Sequence, residues 1–249
     1  MEKPLIVNQD ELAKFHTSIS GDVRKAFGLG NNRHLNCLKY SAVVGQTVNT
    51  YRLVDASEYG TQARNLRGND IDVFPVPMDR TEVLLVGVSF DWATTGKRFR
   101  FSSAQIIVFS GRKRAGAKKL EIDGDARQLL RLEWAGRSDA GLFEALVAAH
   151  PHWQVDAVPG FSTPPPIPEA PKVMDLADLS EQQESPAKTW LSRLHLPSAA
   201  IGWMKGEGWK GDHTDCVAHA NSPASLAELQ AWVGSATRYL NHQLQNAVT

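Results

Sequence analysis

The sequence predicts an α+β fold: an antiparallel sheet with a meander at residues 82–134, covered by one N-terminal and one C-terminal helix. Three observations predict it. Residues 82–134 carry one strand with apolar residues at period two, a second with the apolar run Ile106–Phe109 and a third over 128–134, joined by a turn and a charged loop. Residues 8–27 place Leu12, Phe15, Ile19, Val23 and Phe27 three and four apart, which builds one apolar helical stripe. Leu226, Leu229, Val233, Ala236 and Leu240, flanked by Trp232 and Tyr239, build a second stripe reaching about Gln245.

Each element follows from its residues. Asn8 with Glu11 three residues on is a capping pair for the first helix, and Gly28 suits the left-handed stop position. Val43-Val44 and Val48–Val54, within residues 35–54, read as two short strands around Gly45-Gln46. Residues 55–70 read as polar and irregular. Ile71–Pro77 alternates, but Pro75 and Pro77 confine it to an edge or an extended loop. In the meander, Leu84, Val86, Val88, Phe90 and Trp92 share one face, and the opposite face grows more polar toward Ser89 and Asp91. A turn at Thr94-Thr95-Gly96 leads to a strand over 99–109. A charged loop over 111–127 then leads to a third strand over 128–134. A short helix from about Ala140 to Ala149 stops at Pro151, and His152–Val158 alternates as an edge strand.

Prolines at 159, 164, 165, 166, 168, 171 and 186 exclude regular structure from the stretch that follows. The organisation predicted is therefore a β-rich body over 1–158, a proline-rich acidic strap over 159–186, and a Trp- and His-rich helical piece over 187–249. Ser222-Pro223 reads as an N-cap with proline at the first helical position. A piece of this size with one good helix buries too little surface to stand alone, so it is expected to dock on the body.

Composition narrows the function classes. The chain has 249 residues, with Lys plus Arg equal to Asp plus Glu at 27 each. That balance argues against a polyelectrolyte binder over the whole surface but leaves room for a local basic patch. The two cysteines, Cys37 and Cys216, are far apart and read as free thiols of a reducing compartment. The N-terminal residues lack the apolar run of a secretory leader, and no window approaches the roughly 18 apolar residues of a membrane helix. The expectation is a soluble cytoplasmic protein.

Four groups of residues carry candidate chemistry. His150, His152 and Asp156 form the first: two histidines flanking a proline on extended backbone suit a transition metal or catalysis. The plainer alternative is a helix-ending turn, with His150 against the helix dipole. The second group is His213, Cys216 and His219, which with His152 offers ligands to a divalent metal; as a loop with an inert thiol it carries none. Cys216 beside a histidine is also a weak nucleophile candidate. His152, Asp156, His195, His213 and His219 would form a composite site if the C-terminal piece closes over the strap.

Arg112, Lys113, Arg114, Lys118 and Lys119 form the third group, a basic hairpin able to track phosphates of a nucleic acid. Lys97, Arg98 and Arg100 add charge elsewhere in the meander, and Glu121, Asp123 and Asp125 partly neutralise the loop. Trp203 and Trp209, two of seven tryptophans, form the fourth as an aromatic surface for a protein partner. The alternative is that they glue the small piece to the sheet. No Rossmann, Walker, HExxH or GxSxG signature occurs. The sequence therefore ranks a binding or accessory protein first and a metal-assisted hydrolase, acting on a phosphodiester, second.

Overall fold

A computed structural model describes residues 3–31, 33–40, 48–56, 61–65, 68–76, 82–112, 126–137, 151–155 and 222–248. Two helices are described, α1 (Gln9–Ala26) and α2 (Leu226–Val248). The strands are β1 (Ile6–Val7), β2 (Leu35–Tyr40), β3 (Val48–Asp55), β4 (Gln62–Arg64), β5 (Asp70–Asp72), β6 (Phe74–Val76), β7 (Glu82–Thr95), β8 (Arg98–Arg112), β9 (Arg127–Ala135) and β10 (His152–Val155).

α1 starts where the sequence says it should. The Asn8 side chain accepts the Glu11 N–H at 2.9 Å, and Glu11 accepts the Asn8 N–H at 2.8 Å, a complete capping box. Gly28 ends the helix at φ 62°, a left-handed geometry that an L side chain adopts only with strain. Leu12, Phe15, Ile19 and Val23 are buried against the sheet.

Eight of the described strands form one antiparallel sheet, in the order β10-β9-β8-β7-β3-β2, with β1 against β8 and β6 against β7. β7, β8 and β9 are the expected meander. β8 runs on to Arg112, which pairs with Glu82, so Arg112 belongs to the strand rather than to the loop. β1 pairs with Phe99 and Arg100 of β8, beyond the point where β9 ends opposite Ser103. On the other side of β7, β3 pairs from Ala93 to Ser89 and β6 from Val86 to Leu84.

β3 and β6 thus act as one interrupted partner of β7. The chain between them leaves the sheet, and within it β4 and β5 pair as a two-stranded ribbon. This corrects the expectation of an irregular stretch over 55–70. The ribbon crosses the outer face of β7 at Gly87. A Cβ there would lie 2.7 Å from Ile71 Cγ2 and 3.3 Å from the Asp72 carbonyl oxygen, so only glycine permits this approach.

The sheet has two cores. Leu84, Val86, Val88, Phe90 and Trp92 join the stripes of α1 and α2 in the main cluster on the inner face. Ala63, Ile71 and Val73 cover Leu85, Ile107 and Phe109 on the outer face. The unbroken apolar run Ile106–Phe109 is explained by burial on both sides. α2 packs on α1 and on the sheet: the Trp232 ring lies 5.1 Å from Trp134, and Gln230 donates to Ser18 and Asp22 at 2.7 Å each.

The start of α2 differs from the expected Ser222-Pro223 cap. Ser225 caps it instead, its hydroxyl accepting the Glu228 N–H at 3.1 Å, while Glu228 accepts the Ala224 N–H at 2.9 Å. Ser222 and Pro223 are buried just ahead of this turn. The segments Val43-Val44, Ala140–Ala149 and the proline-rich strap lie outside the described residues.

Two substitutions test this architecture. Gly87→Ala should lower stability by about 1–3 kcal/mol by pushing the ribbon off β7, read as a lower urea midpoint. Trp232→Ala should cost about 3–5 kcal/mol by opening a cavity between α2 and Trp134. A midpoint within error of wild type in either variant contradicts the packing described.

Candidate functional site

The inner face of the sheet is apolar and covered. The outer face beside the ribbon carries a cluster of polar side chains, because antiparallel register sets residues from four strands side by side. Thr50, Asp91 and Ser103 form one row. Arg52, Ser89, Gln105 and Glu133 form the next. Arg131 follows Glu133 on the same side of β9 at period two.

These groups bond to one another. Asp91 accepts the Thr50 hydroxyl on Oδ1 at 2.7 Å and the Ser103 hydroxyl on Oδ2 at 2.8 Å. Glu133 accepts the Gln105 amide on Oε1 at 2.9 Å, and its Oε2 lies 3.5 Å from the Arg131 guanidinium. Asp72, on the ribbon, accepts from Arg52 at 2.9 Å and from Gln62 at 3.2 Å. Each of the three carboxylates therefore has a donor at both oxygens. Two donors orient each carboxylate and engage it in the sheet, although its oxygens can accept further bonds.

Arg33 ties both mouths of the excursion between β3 and β6. It pairs with Asp55 at the end of β3, which is fully buried, and donates to the Pro75 carbonyl in β6 at 3.1 Å. Arg33 and Arg52 together fix the ribbon over the outer face.

The expected site residues fall as follows. His152 opens β10 and stands across from Glu133 in the register. Trp153 packs half-buried against the main cluster, as expected for that edge strand. Arg112 ends β8. Lys97 is exposed in the β7–β8 turn and Arg98 is exposed at the start of β8, at the opposite end of that strand from Arg112. Arg100 is buried and donates to the Arg137 carbonyl at 2.8 Å, which braces β8 against the chain after β9.

His150, Asp156, His213, Cys216 and His219 lie outside the described residues, as do His195, Lys113, Arg114, Lys118, Lys119, Trp203 and Trp209. Among the described residues, no group of three or more His, Cys, Asp or Glu is placed to hold a metal ion. No described helix is long and apolar enough to cross a membrane.

Sequence reasoning missed Arg52, Asp72, Asp91, Gln105, Arg131 and Glu133 as a set. A signal existed in part: Arg131 and Glu133 alternate with Leu130, Leu132 and Trp134, which marks a strand with charges on one face. No known protein family, curated protein or solved structure matches the chain.

Asp91→Ala should leave the Thr50 and Ser103 hydroxyls without their shared acceptor and cost about 1–3 kcal/mol in chemical denaturation. Asp91→Asn keeps one acceptor oxygen and should cost less. Equal losses in the two variants would mean that the hydroxyl pair is not what Asp91 supports.

Proposed function

We propose that this chain is a binding or accessory protein. Its sheet is a rigid platform, and its contact surfaces are the basic segment Arg112, Lys113, Arg114, Lys118 and Lys119 and the aromatic pair Trp203 and Trp209. The observation that carries this reading is that Asp72, Asp91 and Glu133 are each bonded to two side-chain donors of the sheet and ribbon. Carboxylates pinned in this way stiffen a scaffold and leave recognition to the segments it presents.

The basic segment has a firm root. Ser110 pairs with Arg127 and Arg112 with Glu82, so the connection from β8 to β9 springs from paired strands on both sides. A cationic segment on a fixed base is suited to an anionic partner, with phosphates as the simplest case.

A second reading, metal-assisted hydrolysis through His150, His152 and Asp156, draws on the register that sets His152 across from Glu133. A carboxylate beside a metal-binding histidine would orient the ring.

Fluorescence anisotropy with a labelled oligonucleotide tests the first reading. The triple variant Arg112→Glu, Lys113→Glu and Arg114→Glu should weaken binding at least about tenfold. It should also make the plot of log K against log salt shallower by roughly 3. An unchanged slope removes the basic segment, and an unchanged pull-down profile for Trp203→Ala with Trp209→Ala removes the aromatic pair. Calorimetric zinc uptake that disappears in His150→Ala with His152→Ala would favour hydrolysis instead.

A further inference from the structure

We infer that His16 is an acid-sensitive latch between α1 and the sheet: protonation of its buried imidazole releases the helix from β2 and β3 and further exposes Cys37, which is partly buried on β2. His16 is 7% exposed, and its Nε2 is buried with no hydrogen-bond partner. The ring lies 4.3 Å from the Tyr51 ring, 5.6 Å from Phe15 and 6.3 Å from Phe90. Its surroundings are therefore aromatic faces rather than a carboxylate that could receive a positive charge. Burial alone lowers its pKa from 6.5 to about 4.

The ionisable groups around the joint offer no compensation. On β2, Cys37 and Lys39 share the side of β3 residues Leu53 and Tyr51, their register partners. Burial pushes the Cys37 thiol up to about 12, so it stays neutral and forms no pair with an imidazolium. Lys39 is exposed. Burial, and then the nearness of the Cys37 sulfur should it ionise, raise Tyr51, which leaves its hydroxyl neutral as well. Asp55, on the same side of β3, is taken by Arg33.

The inward stripes of β7 and β8 beneath α1 are apolar, and Arg100 on β8 is bound to the Arg137 carbonyl. On α2, Arg238 and His242 are exposed, Tyr239 is half-buried and Glu228 is engaged at the helix start. On α1 itself, Asp10, Glu11 and Lys14 are exposed, and Asp22 accepts from Gln230.

The direction of the effect follows from linkage. A histidine whose folded pKa is depressed contributes no penalty above its ordinary value of 6.5. As the pH falls from there, the open helix binds a proton that the docked helix refuses. The penalty grows until about 4, where the docked form also protonates, and then levels off. The open population should rise on the order of a hundredfold across this window.

Cys37 is the reporter. In full-length chain carrying Cys216→Ser, its reaction with a dipyridyl disulfide is compared at each pH with that of the urea-unfolded chain. Protection of Cys37 should fall on the order of a hundredfold between about pH 7 and about pH 4.5, with the far-ultraviolet circular dichroism retained. His16→Phe, which keeps a ring against Tyr51, should hold protection nearly flat.

Constant protection in the His16 protein overturns the latch. So does an equal loss of protection in His16→Phe, or thiol exposure coincident with global unfolding. Should His16→Phe fail to fold, hydrogen exchange of the α1 amides in His16→Gln and in the parent decides in its place. Acid-accelerated exchange confined to α1 and absent from His16→Gln supports the latch, and identical pH profiles overturn it.

Discussion

The described structure depends on burial of the inner stripe of β7. Leu84, Val86, Val88, Phe90 and Trp92 are nearly inaccessible, and they lie in the one cluster that both helices join. β7, like β8, has partners on both sides over most of its length: β8 on one side, β3 and then β6 on the other. An apolar stripe on a strand so placed fixes which way every neighbour faces, since a slip of one residue would turn all of them over. The outer rows of polar side chains are a consequence of that constraint. Once the even-numbered residues of β7 from 84 to 92 are committed inward, Ser89 and Asp91 must face out, with their register partners Gln105 and Ser103.

The interruption between β3 and β6 follows the same logic. β7 is too long for β3 to cover, and the chain completes the pairing only after an excursion. At that gap stands Gly87, where backbone and side chain of the ribbon come closer than a methyl group would allow. The ribbon is short and brings few apolar residues, so its burial alone is a weak hold. Two arginines reinforce it, Arg33 at both mouths of the excursion and Arg52 on the ribbon. Largely buried pairs of this kind contribute more to fixing one arrangement than to net stability, because desolvation offsets much of their attraction. Here the arrangement fixed is the position of a flap relative to the polar rows.

The parts of the fold legible in the sequence were those encoded locally. Asn8 with Glu11, and the three-and-four spacing behind them, are contained within one helix. The alternation of β7 and the turn at Gly96 are contained within one hairpin. The start of α2 was misplaced although Ser225 and Glu228 also form a capping pair; the proline after Ser222 suggested a helix start that the backbone does not make. The ribbon was missed because Gln62–Arg64 and Asp70–Asp72 are three-residue strands, and their apolar residues have no period of their own. The polar rows were out of reach for another reason. Thr50, Asp91 and Ser103 meet only once three strands are in register, and nothing within any one strand says which residues stand opposite.

The buried polar groups sort into two kinds, and the distinction gives the inner and outer faces different chemistry. On the outer face, Asp72, Asp91 and Glu133 each accept from two side-chain donors. Under the helices, His16 Nε2, Trp92 Nε1 and Trp232 Nε1 have no partner. An unmet indole N–H is a constant cost, because the indole does not titrate near neutral pH. An unmet imidazole is different: its cost is modest while neutral and rises steeply once a proton arrives in an apolar site. Placing the titratable member of this set at the contact between α1 and β3, rather than deep beneath α2, puts the pH-dependent weakness at a joint that can open without dismantling β7, β8 and β9.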